Sequence, residues 1–209
     1  MRLPFEGCVL KDYPRGTCTQ RFGEKPSLYK LWGLKAHNGE DHVAAYGTPL
    51  LAVEDGIIIN VKSDPNGYGR HLRILSTAST EGIYREWTYG HLASISVKVG
   101  QKVKEGQEVG KMGNSGFVQS GKNVWWGDNQ PEDGAGTHLH LGLRFVRKDR
   151  NGFSYTKDGP RLEVLNYDNG YKGAVDPRPI LTPDTETQLA IIERLRKVVE
   201  LYKQLVKTK

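Results

Sequence analysis

The chain has 209 residues, of which 37% are hydrophobic and 26% charged, which is the profile of a globular protein with one well-buried domain. A formal net charge of +6 favours anionic partners such as nucleic acid, acidic membranes or anionic cell-wall polymers. No basic run is interleaved with aromatic residues, so we do not expect nucleic acid as the partner. We also expect no membrane insertion, because no apolar stretch is long enough to span a bilayer.

The 25 glycines and 10 prolines predict many turns and favour a β-rich domain over a helical bundle. Residues 8–10 and 17–23 read as two short strands around a turn. The turn signal Asn38-Gly39 places His37 and Asp41 on a loop rather than on a helix face. Further short strands are predicted at 50–53, 56–62, 71–76, 84–89, 94–99, 101–103 and 108–112. This pattern predicts a mainly β fold, an antiparallel sheet or sandwich.

The most informative stretch is Gly136–Gly142, which reads GTHLHLG. Side chains alternate faces along a strand, so a strand here would point His138 and His140 one way. The interleaved leucines would then point into a core. Two imidazoles on one face of a rigid strand suit a metal site or an acid–base pair, although two ordinary strand histidines would give the same pattern.

Residues 117–136 read as a long, polar, glycine-rich loop that carries Trp125 and Trp126. The two tryptophans suit either a platform for stacking sugar or peptide on a groove rim, or an anchor that pins the loop to the body. Residues 147–175 are predicted to form a second extension, a hairpin. Both insertions belong to a predicted catalytic domain that covers residues 1–183.

Residues 184–209 are predicted to form a C-terminal amphipathic helix, with apolar residues recurring at spacings of three and four. An isolated helix could not keep such an apolar face in water, so it must pack on its own domain or on another chain. We expect it to mediate self-association or docking to a partner, and to take no part in the chemistry.

The N-terminus and the two cysteines give information on the cellular compartment of the protein. Pro4 and Glu6 break the apolar content of the first residues, so we see no signal peptide. We expect a chain that stays in the cytoplasm, is already mature, or leaves by another route such as phage-mediated lysis or virion assembly. Cys8 and Cys18 form neither a disulfide framework nor a zinc ribbon, and both a single bridge and two reduced thiols remain open.

A possible ligand set comes from three separated positions. His37 and Asp41 form an H-x3-D pair, and His140 follows about a hundred residues later. Zinc accepts histidine nitrogen and aspartate oxygen, and catalytic zinc sites use three protein ligands with an open position for water. The three residues would meet that count, and His138 and His91 would remain as free imidazoles nearby.

The motifs H-N-G-x-D, G-T-P-L-L-A-V-E-D-G, Y-G-H-L, G-N-S-G and H-L-H occur in this order. With these motifs the sequence resembles the lysostaphin-type zinc endopeptidases, a group of peptidoglycan hydrolases, over about residues 17–145. The resemblance implies an antiparallel β-sheet of the duplicated hybrid motif type, one zinc ion per chain, and peptidoglycan peptides as substrate. With the predicted absence of a signal peptide, it favours a phage or prophage lysin or a virion-associated enzyme.

The resemblance also implies a role for each polar residue of the site. His37, Asp41 and His140 match the zinc ligands, His138 matches the general base, and His91 matches the second catalytic histidine, which supports the transition state. This assignment agrees with the chemistry, since a metal-activated water needs a base and the developing oxyanion needs a donor.

The sequence also suggests roles for several further residues. We expect Tyr89, with Trp125 and Trp126, to contact substrate. About twenty residues separate G-N-S-G from H-L-H, which is more than the family usually has, so the shape of the groove stays open. His42 fits either a group that supports the ligands or a histidine at the edge of the core, and His71 is expected to be structural.

Two other classes of function compete with this prediction. Val97–Gln107 also resembles the barrel strands of lipoyl and biotinyl carriers, but the modifiable lysine in its usual context is missing. A metal-free relative could bind the cell wall or act as a regulator without cutting, but such relatives usually lose ligands. The sequence leaves open whether the bond cut would be a glycine bridge, a D-alanyl cross-link or a stem-peptide bond.

Overall fold

The computed structural model describes residues 1–127, 131, 134–148, 155–156, 159–160, 162–181, 193 and 197. The strands are β1 (Cys18–Gln20), β2 (Glu40–His42), β3 (Pro49–Leu51), β4 (Gly56–Asp64), β5 (Gly69–Thr80), β6 (Ile83–Gly90), β7 (Leu92–Ile95), β8 (Lys102–Val103), β9 (Glu108–Met112), β10 (Val118–Ser120), β11 (Asn123–Trp125), β12 (Leu139–Lys148), β13 (Tyr155–Thr156), β14 (Gly159–Pro160), β15 (Leu162–Val164) and β16 (Ala174–Val175). Short helices are α1 (Pro26–Tyr29) and α2 (Arg178–Leu181), with 3-10 turns at Lys30–Trp32 and Tyr167–Asn169.

The large sheet is antiparallel and, over the described residues, has nine strands with the path β1-β2-β12-β6-β5-β4-β8. Strand β12 is its axis. One edge of β12 pairs with β6, and the other edge pairs in turn with β2, β16 and β15. This register sets His140 opposite Asp41 on one side and opposite Gly90 on the other.

A second antiparallel sheet, with the order β3-β9-β7, packs against the large sheet. Its buried side chains and those of the large sheet form one core. Core residues that are fully or almost fully buried include Leu50, Leu72, Ile74, Trp87, Tyr89, Leu92, Val109, Met112, Leu139, Leu141 and Leu143. The prediction of a mainly β, antiparallel fold is therefore confirmed.

The predicted alternation along β12 is also observed. Leu139, Leu141 and Leu143 are completely buried in the core, and His140 lies on the opposite face, where it lines a cleft. Because successive side chains of a strand point to opposite faces, the leucines that bury β12 also aim its histidine out of the core.

Three local predictions need correction. Residues 8–10 do not form a strand, because the amide and carbonyl of Cys18 bond instead to Lys11 and Tyr13, and β1 pairs with β2. Asp41 lies in strand β2 rather than on a loop, although His37 is on the loop before it. Part of the predicted loop 117–136 is ordered into the β10–β11 hairpin, in which Val118 pairs with Trp125.

The predicted C-terminal helix lies outside the described residues, except that Glu193 and Lys197 are helical. Its role in association therefore stays a prediction. Much of the predicted hairpin within 147–175 also lies outside the described residues. Within the part that is described, no helix is long and apolar enough to cross a membrane.

Candidate metal centre and catalytic histidines

The sheet brings His37, Asp41 and His140 together at one point. The Nε2 atom of His37 lies 3.0 Å from Nδ1 of His140 and 3.1 Å from Oδ1 of Asp41. The same Asp41 oxygen lies 3.1 Å from His140 Nδ1. Two of the residues face each other across the β2–β12 pair, and the third arrives from the loop before β2.

Backbone contacts determine which nitrogen of His37 is free. Its Nδ1 lies 3.0 Å from the carbonyl oxygen of Arg21, and a carbonyl can only accept, so Nδ1 carries the proton. The lone pair of Nε2 then points at Asp41 and His140. Lone pairs this close together repel unless a cation or proton lies among them, so the arrangement suits a metal ion. His140 Nε2 is buried and has no hydrogen-bond partner among the described residues, which leaves Nδ1 as its ligand atom.

The protonation states suit metal binding as well. Burial acts to raise the pKa of Asp41, but His37 and His138 outweigh it, and the pKa lies well below its usual value. Burial lowers the pKa of His140 to about 4. At neutral pH the carboxyl is therefore ionised and the imidazole neutral, which are the forms that bind metal ions.

Gly39 makes room for His140. A Cβ atom on Gly39 would lie 2.6 Å from Cε1 of His140 and 2.7 Å from the carbonyl oxygen of Leu141. The predicted turn at Asn38-Gly39 does not account for this glycine, because its backbone φ is not in the left-handed region. The close approach of the histidine ring is the reason for glycine here.

His138 and His91 form a second pair beside the ligand cluster, with ring centroids 4.4 Å apart. The Nδ1 of His138 donates to the carbonyl of Gly136 at 2.7 Å, and Nδ1 of His91 donates to that of Ser115 at 2.8 Å. Each Nε2 therefore keeps its lone pair. His138 Nε2 lies 3.8 Å from Asp41 Oδ1, so this imidazole borders the candidate ligand cluster of His37, Asp41 and His140 directly.

His91 is held in an unusual backbone conformation, with φ at +63°. A non-glycine residue in the left-handed region costs about 1–3 kcal/mol, and such residues cluster at functional sites. Burial first, then the neighbouring His138 and His140, lower the pKa of His91 well below its usual value. His91 is therefore a neutral imidazole whose free nitrogen accepts.

The histidines open into a cleft of about 690 Å³. Aromatic residues of its lining are Tyr29, Trp32, Tyr68, Phe117 and Tyr171. Phe117 packs between two tryptophans, with its ring 4.9 Å from Trp32 and 4.5 Å from Trp126. Sequence analysis singled out the tryptophan pair but missed Trp32 and Phe117, which come together only in the folded chain. Trp126 is 42% exposed and supports Phe117 from outside the lining.

Tyr89 is not available to a substrate, contrary to the expectation from sequence. It is completely buried, and its hydroxyl donates to Leu51 O at 2.9 Å and accepts from the amide of Val53 at 3.1 Å. Strand alternation puts it on the core face of β6. A tyrosine that does line the cleft beside the metal-binding candidates is Tyr68, whose ring centroid lies 4.9 Å from that of His140.

The remaining histidine, His71, has the structural environment that was expected. It is buried, and its Nδ1 donates to the carbonyl of Gly69 at 2.9 Å. Its ring centroid lies 5.7 Å from that of Tyr68, so it packs against a residue of the cleft lining.

A second cluster, Cys18, Glu40 and His42, occupies the other face of β2; we call it the far-face cluster. His42 Nε2 lies 3.3 Å from Glu40 Oε2, and Arg178 Nε lies 2.5 Å from Glu40 Oε1. Both cysteines are buried free thiols, and burial, with Glu40, raises the pKa of Cys18 to about 12. His42 is thus a buried, bonded residue of the core rather than a residue at its edge.

The comparisons with known proteins agree with the resemblance seen in the sequence. The profile of Peptidase family M23 matches residues 35–152. An 81-residue stretch is 36% identical to the glycyl-glycine endopeptidase ALE-1 of Staphylococcus capitis, covering 39% of this chain and 21% of that protein. An 86-residue stretch is 37% identical to the peptidoglycan DD-endopeptidase ShyC of Vibrio cholerae, covering 41% and 18%. The chain thus spans about a fifth of the length of these relatives.

Among solved structures, the catalytic domain of the antimicrobial peptidase lysostaphin from Staphylococcus simulans is similar over 70% of this chain and 80% of that domain. The TM-score is 0.45 and the sequence identity 24%. The matched family segment includes the whole ligand cluster and both neighbouring histidines. Since that segment is more than half of the sequence, the chain belongs to peptidase family M23.

Proposed function

We propose that the chain is a zinc-dependent endopeptidase that hydrolyses peptide bonds in bacterial peptidoglycan. The observation that carries this proposal is the convergence of His37, Asp41 and His140, with donor atoms 3.0–3.1 Å apart, beside two histidines that keep free Nε2 atoms. The names of the relatives, a glycyl-glycine endopeptidase and a peptidoglycan DD-endopeptidase, support the choice of cell-wall peptides.

The donor set suits zinc in particular. Ligands 2.0–2.1 Å from a tetrahedral zinc ion are about 3.3 Å apart, close to the observed spacing. Two nitrogens, one carboxylate oxygen and one side open to the cleft match a catalytic rather than a structural site. When bound there, zinc would polarise the scissile carbonyl and acidify a water molecule.

The general base in this proposal is His138. Because Nδ1 donates to Gly136, Nε2 is the nitrogen that carries the lone pair in the neutral ring, and it lies 3.8 Å from Asp41 Oδ1. In this position it would take the proton of the attacking water and later deliver a proton to the leaving amine. The backbone bond to Gly136 keeps a proton on Nδ1 throughout, so that Nε2 would be the atom that gains and then gives up the transferred proton.

The role that we propose for His91 follows from the protonation of its ring. In the structure its Nε2 accepts rather than donates, because Nδ1 is bonded to Ser115 and the ring is neutral. It can therefore orient the attacking water by accepting a hydrogen bond. The bond would come from the second proton of that water, the one that His138 does not take, so His91 would hold the water in line through the transition state without needing a further proton.

The test combines zinc content with digestion of cell walls, in which mass spectrometry identifies the new amino termini. We expect about one zinc per chain in the wild type. Asp41→Ala should lose most zinc and all cleavage. His138→Ala should keep zinc but hydrolyse about 10²–10⁴-fold more slowly.

Asp168→Ala, which removes an exposed carboxylate elsewhere, is the matched control and should keep both zinc and activity. Full zinc occupancy in Asp41→Ala would overturn the ligand assignment. A zinc-loaded wild type that released no new amino termini from several wall types would instead support the non-catalytic alternative.

A further inference from the structure

Two arginines on the floor of the cleft share a single carboxylate. Arg73 lies on β5 and Arg144 on β12, and both line the cleft, with Glu86 of β6 between them. Arg144 Nε donates to Glu86 Oε1 at 2.9 Å, and Nη1 of Arg73 lies 3.6 Å from the same oxygen. Glu86 is only 2% exposed. Two guanidinium groups against one carboxylate leave one positive charge uncompensated at this place.

The other charged groups of the cleft do not cancel this excess. Lys25 and Lys172 add positive charge to the lining, and its carboxylates are Asp41 and Asp64. Asp41 is assigned to the metal, and Asp64 accepts from the amide of Asn66 within its own turn. The charged side chains of the described lining therefore favour an anionic group in the substrate.

Arg73 is the better placed of the two arginines to receive such a group. Its side chain is 28% exposed, whereas its Nε is buried and has no acceptor among the described residues. Arg144 already gives two donors, Nε and Nη2, to Glu86. The planar fork of a guanidinium suits a carboxylate, which can accept two parallel hydrogen bonds.

The register of the sheet indicates how far from the cleaved bond an anionic group of the substrate would lie. Arg144 follows His140 by four residues on the same face of β12, which is about 13 Å at the rise of a strand. An extended peptide covers this distance in about four residues. The positive charge is thus within reach of a residue about four positions from the bond that is cut.

We propose that Arg73 and Arg144 form a carboxylate-binding subsite that selects acidic stem peptides over uncharged bridge peptides. This inference rests on the proposed peptidase function and deepens it, because it names the class of peptide. An uncharged glycine bridge offers the exposed part of the Arg73 guanidinium only neutral carbonyl acceptors, whereas a carboxylate of a stem peptide would also compensate the excess positive charge.

The test uses two matched pairs of peptides that contain a cleavable bond. The two peptides of a pair differ only in having glutamate or glutamine about four residues from that bond, on its amino side in one pair and on its carboxyl side in the other. The measured quantity is the ratio of kcat/KM for the glutamate peptide to that for the glutamine peptide. We expect wild-type protein to prefer glutamate by about 10–100-fold in one pair, as a charge-assisted hydrogen bond allows. Arg73→Gln should bring the ratio close to one, and Arg73→Lys should give an intermediate value.

Lys102→Gln is the control, since it removes the same charge at an exposed position of β8 and should leave the ratio unchanged. Zinc content and the thermal midpoint show that each variant is folded. Equal cleavage of both peptides by wild type, or a ratio unaltered in Arg73→Gln, would overturn the subsite and leave the proposed function standing. If no peptide is cut, the proposed function fails, and calorimetry on the same pairs decides the subsite: equal Kd values for glutamate and glutamine peptides overturn it.

Discussion

The two faces of strand β2 carry clusters of similar residue types with opposite properties. On the cleft face, His37, Asp41 and His140 lie within ligand distance, and no described lysine or arginine pairs with the carboxylate. On the far face, Cys18, Glu40 and His42 also lie within ligand distance, but Arg178 neutralises the carboxylate. Spacing alone therefore does not identify a metal site; uncompensated charge and access to the cleft distinguish the two clusters.

Two buried histidines show the same difference in their protonation. Burial lowers the pKa of His140 to about 4, so that its ring is neutral and free to bind a cation. Burial also acts to lower the pKa of His42, but hydrogen bonds to Cys8 and Glu40 outweigh it and raise the pKa to about 9. His42 is thus a cation at neutral pH, which makes the far face an ion-pair network that holds β2 and so positions Asp41.

A substitution at Gly39 that crowds the His140 ring of the cleft-face cluster should have the largest effect on zinc binding. Gly39→Ala would place a Cβ 2.6 Å from the His140 ring, so we expect zinc content to fall from about one per chain to near zero, with loss of hydrolysis. Gly142→Ala is the matched control, because its Cβ would lie 3.5 Å from Nε2 of His140 and 3.4 Å from its nearest neighbour, the Cβ of Thr88. Metal analysis of both variants checks this, and zinc retained in Gly39→Ala would show that the ring can move without harm.

Breaking the far-face cluster should affect stability rather than zinc. Arg178→Ala leaves the fully buried Glu40 without its guanidinium, and removing one partner of a buried pair costs about 3–5 kcal/mol. Urea unfolding measures this loss, and the double variant with Glu40→Gln should recover part of it. Cys18→Ala should keep about one zinc per chain, and a decrease in its zinc content would mean that the far face also binds metal.

The sequence predicted the parts of the site that depend on local pattern. The alternation of H-L-H with leucines located His138 and His140, and the ordered motifs located His37 and Asp41. The same alternation would have placed Tyr89 in the core, two residues from Trp87 on one face of β6, had it been applied there.

Other features depend on contacts between distant segments and leave no local signal. Arg178 meets Glu40 across 138 positions, and Arg144 meets Glu86 across 58. The role of Gly39 depends on a ring about a hundred residues later. The Gly39 and Arg144 contacts follow from the register of β12 with β2 and β6, and the Arg178 contact from the position of α2, neither of which a single sequence specifies.

The smallest expected effect is on how the free energy of unfolding of the metal-free protein depends on pH. His140 should lower this free energy on the acid side of pH 6.5, the acid limb, and His42 on the alkaline side, the alkaline limb. As pH falls from 6.5 towards 4, the unfolded chain binds a proton on His140 that the folded chain does not, so the free energy of unfolding should fall. His91 and His71, whose pKa values are also lowered, act in the same direction. As pH rises from 6.5 towards 9, the folded chain holds a proton on His42 that the unfolded chain has lost, so the free energy of unfolding should fall again, by up to about 3 kcal/mol.

The measurement is urea unfolding in the presence of chelator at a series of pH values between 4 and 9. The free energy of unfolding should be greatest near pH 6.5. His42→Gln should lower stability overall and flatten the alkaline limb while leaving the acid limb in place, because only the far-face histidine has a raised pKa among the histidines of the two clusters. Cys18, whose raised pKa also lowers stability once the unfolded thiol ionises near pH 8.5, accounts for any remaining loss above about pH 8. An alkaline limb that persists in His42→Gln between about pH 6.5 and 8 would show that His42 is neutral when folded, and the contrast between the two faces of β2 would then rest on Arg178 alone.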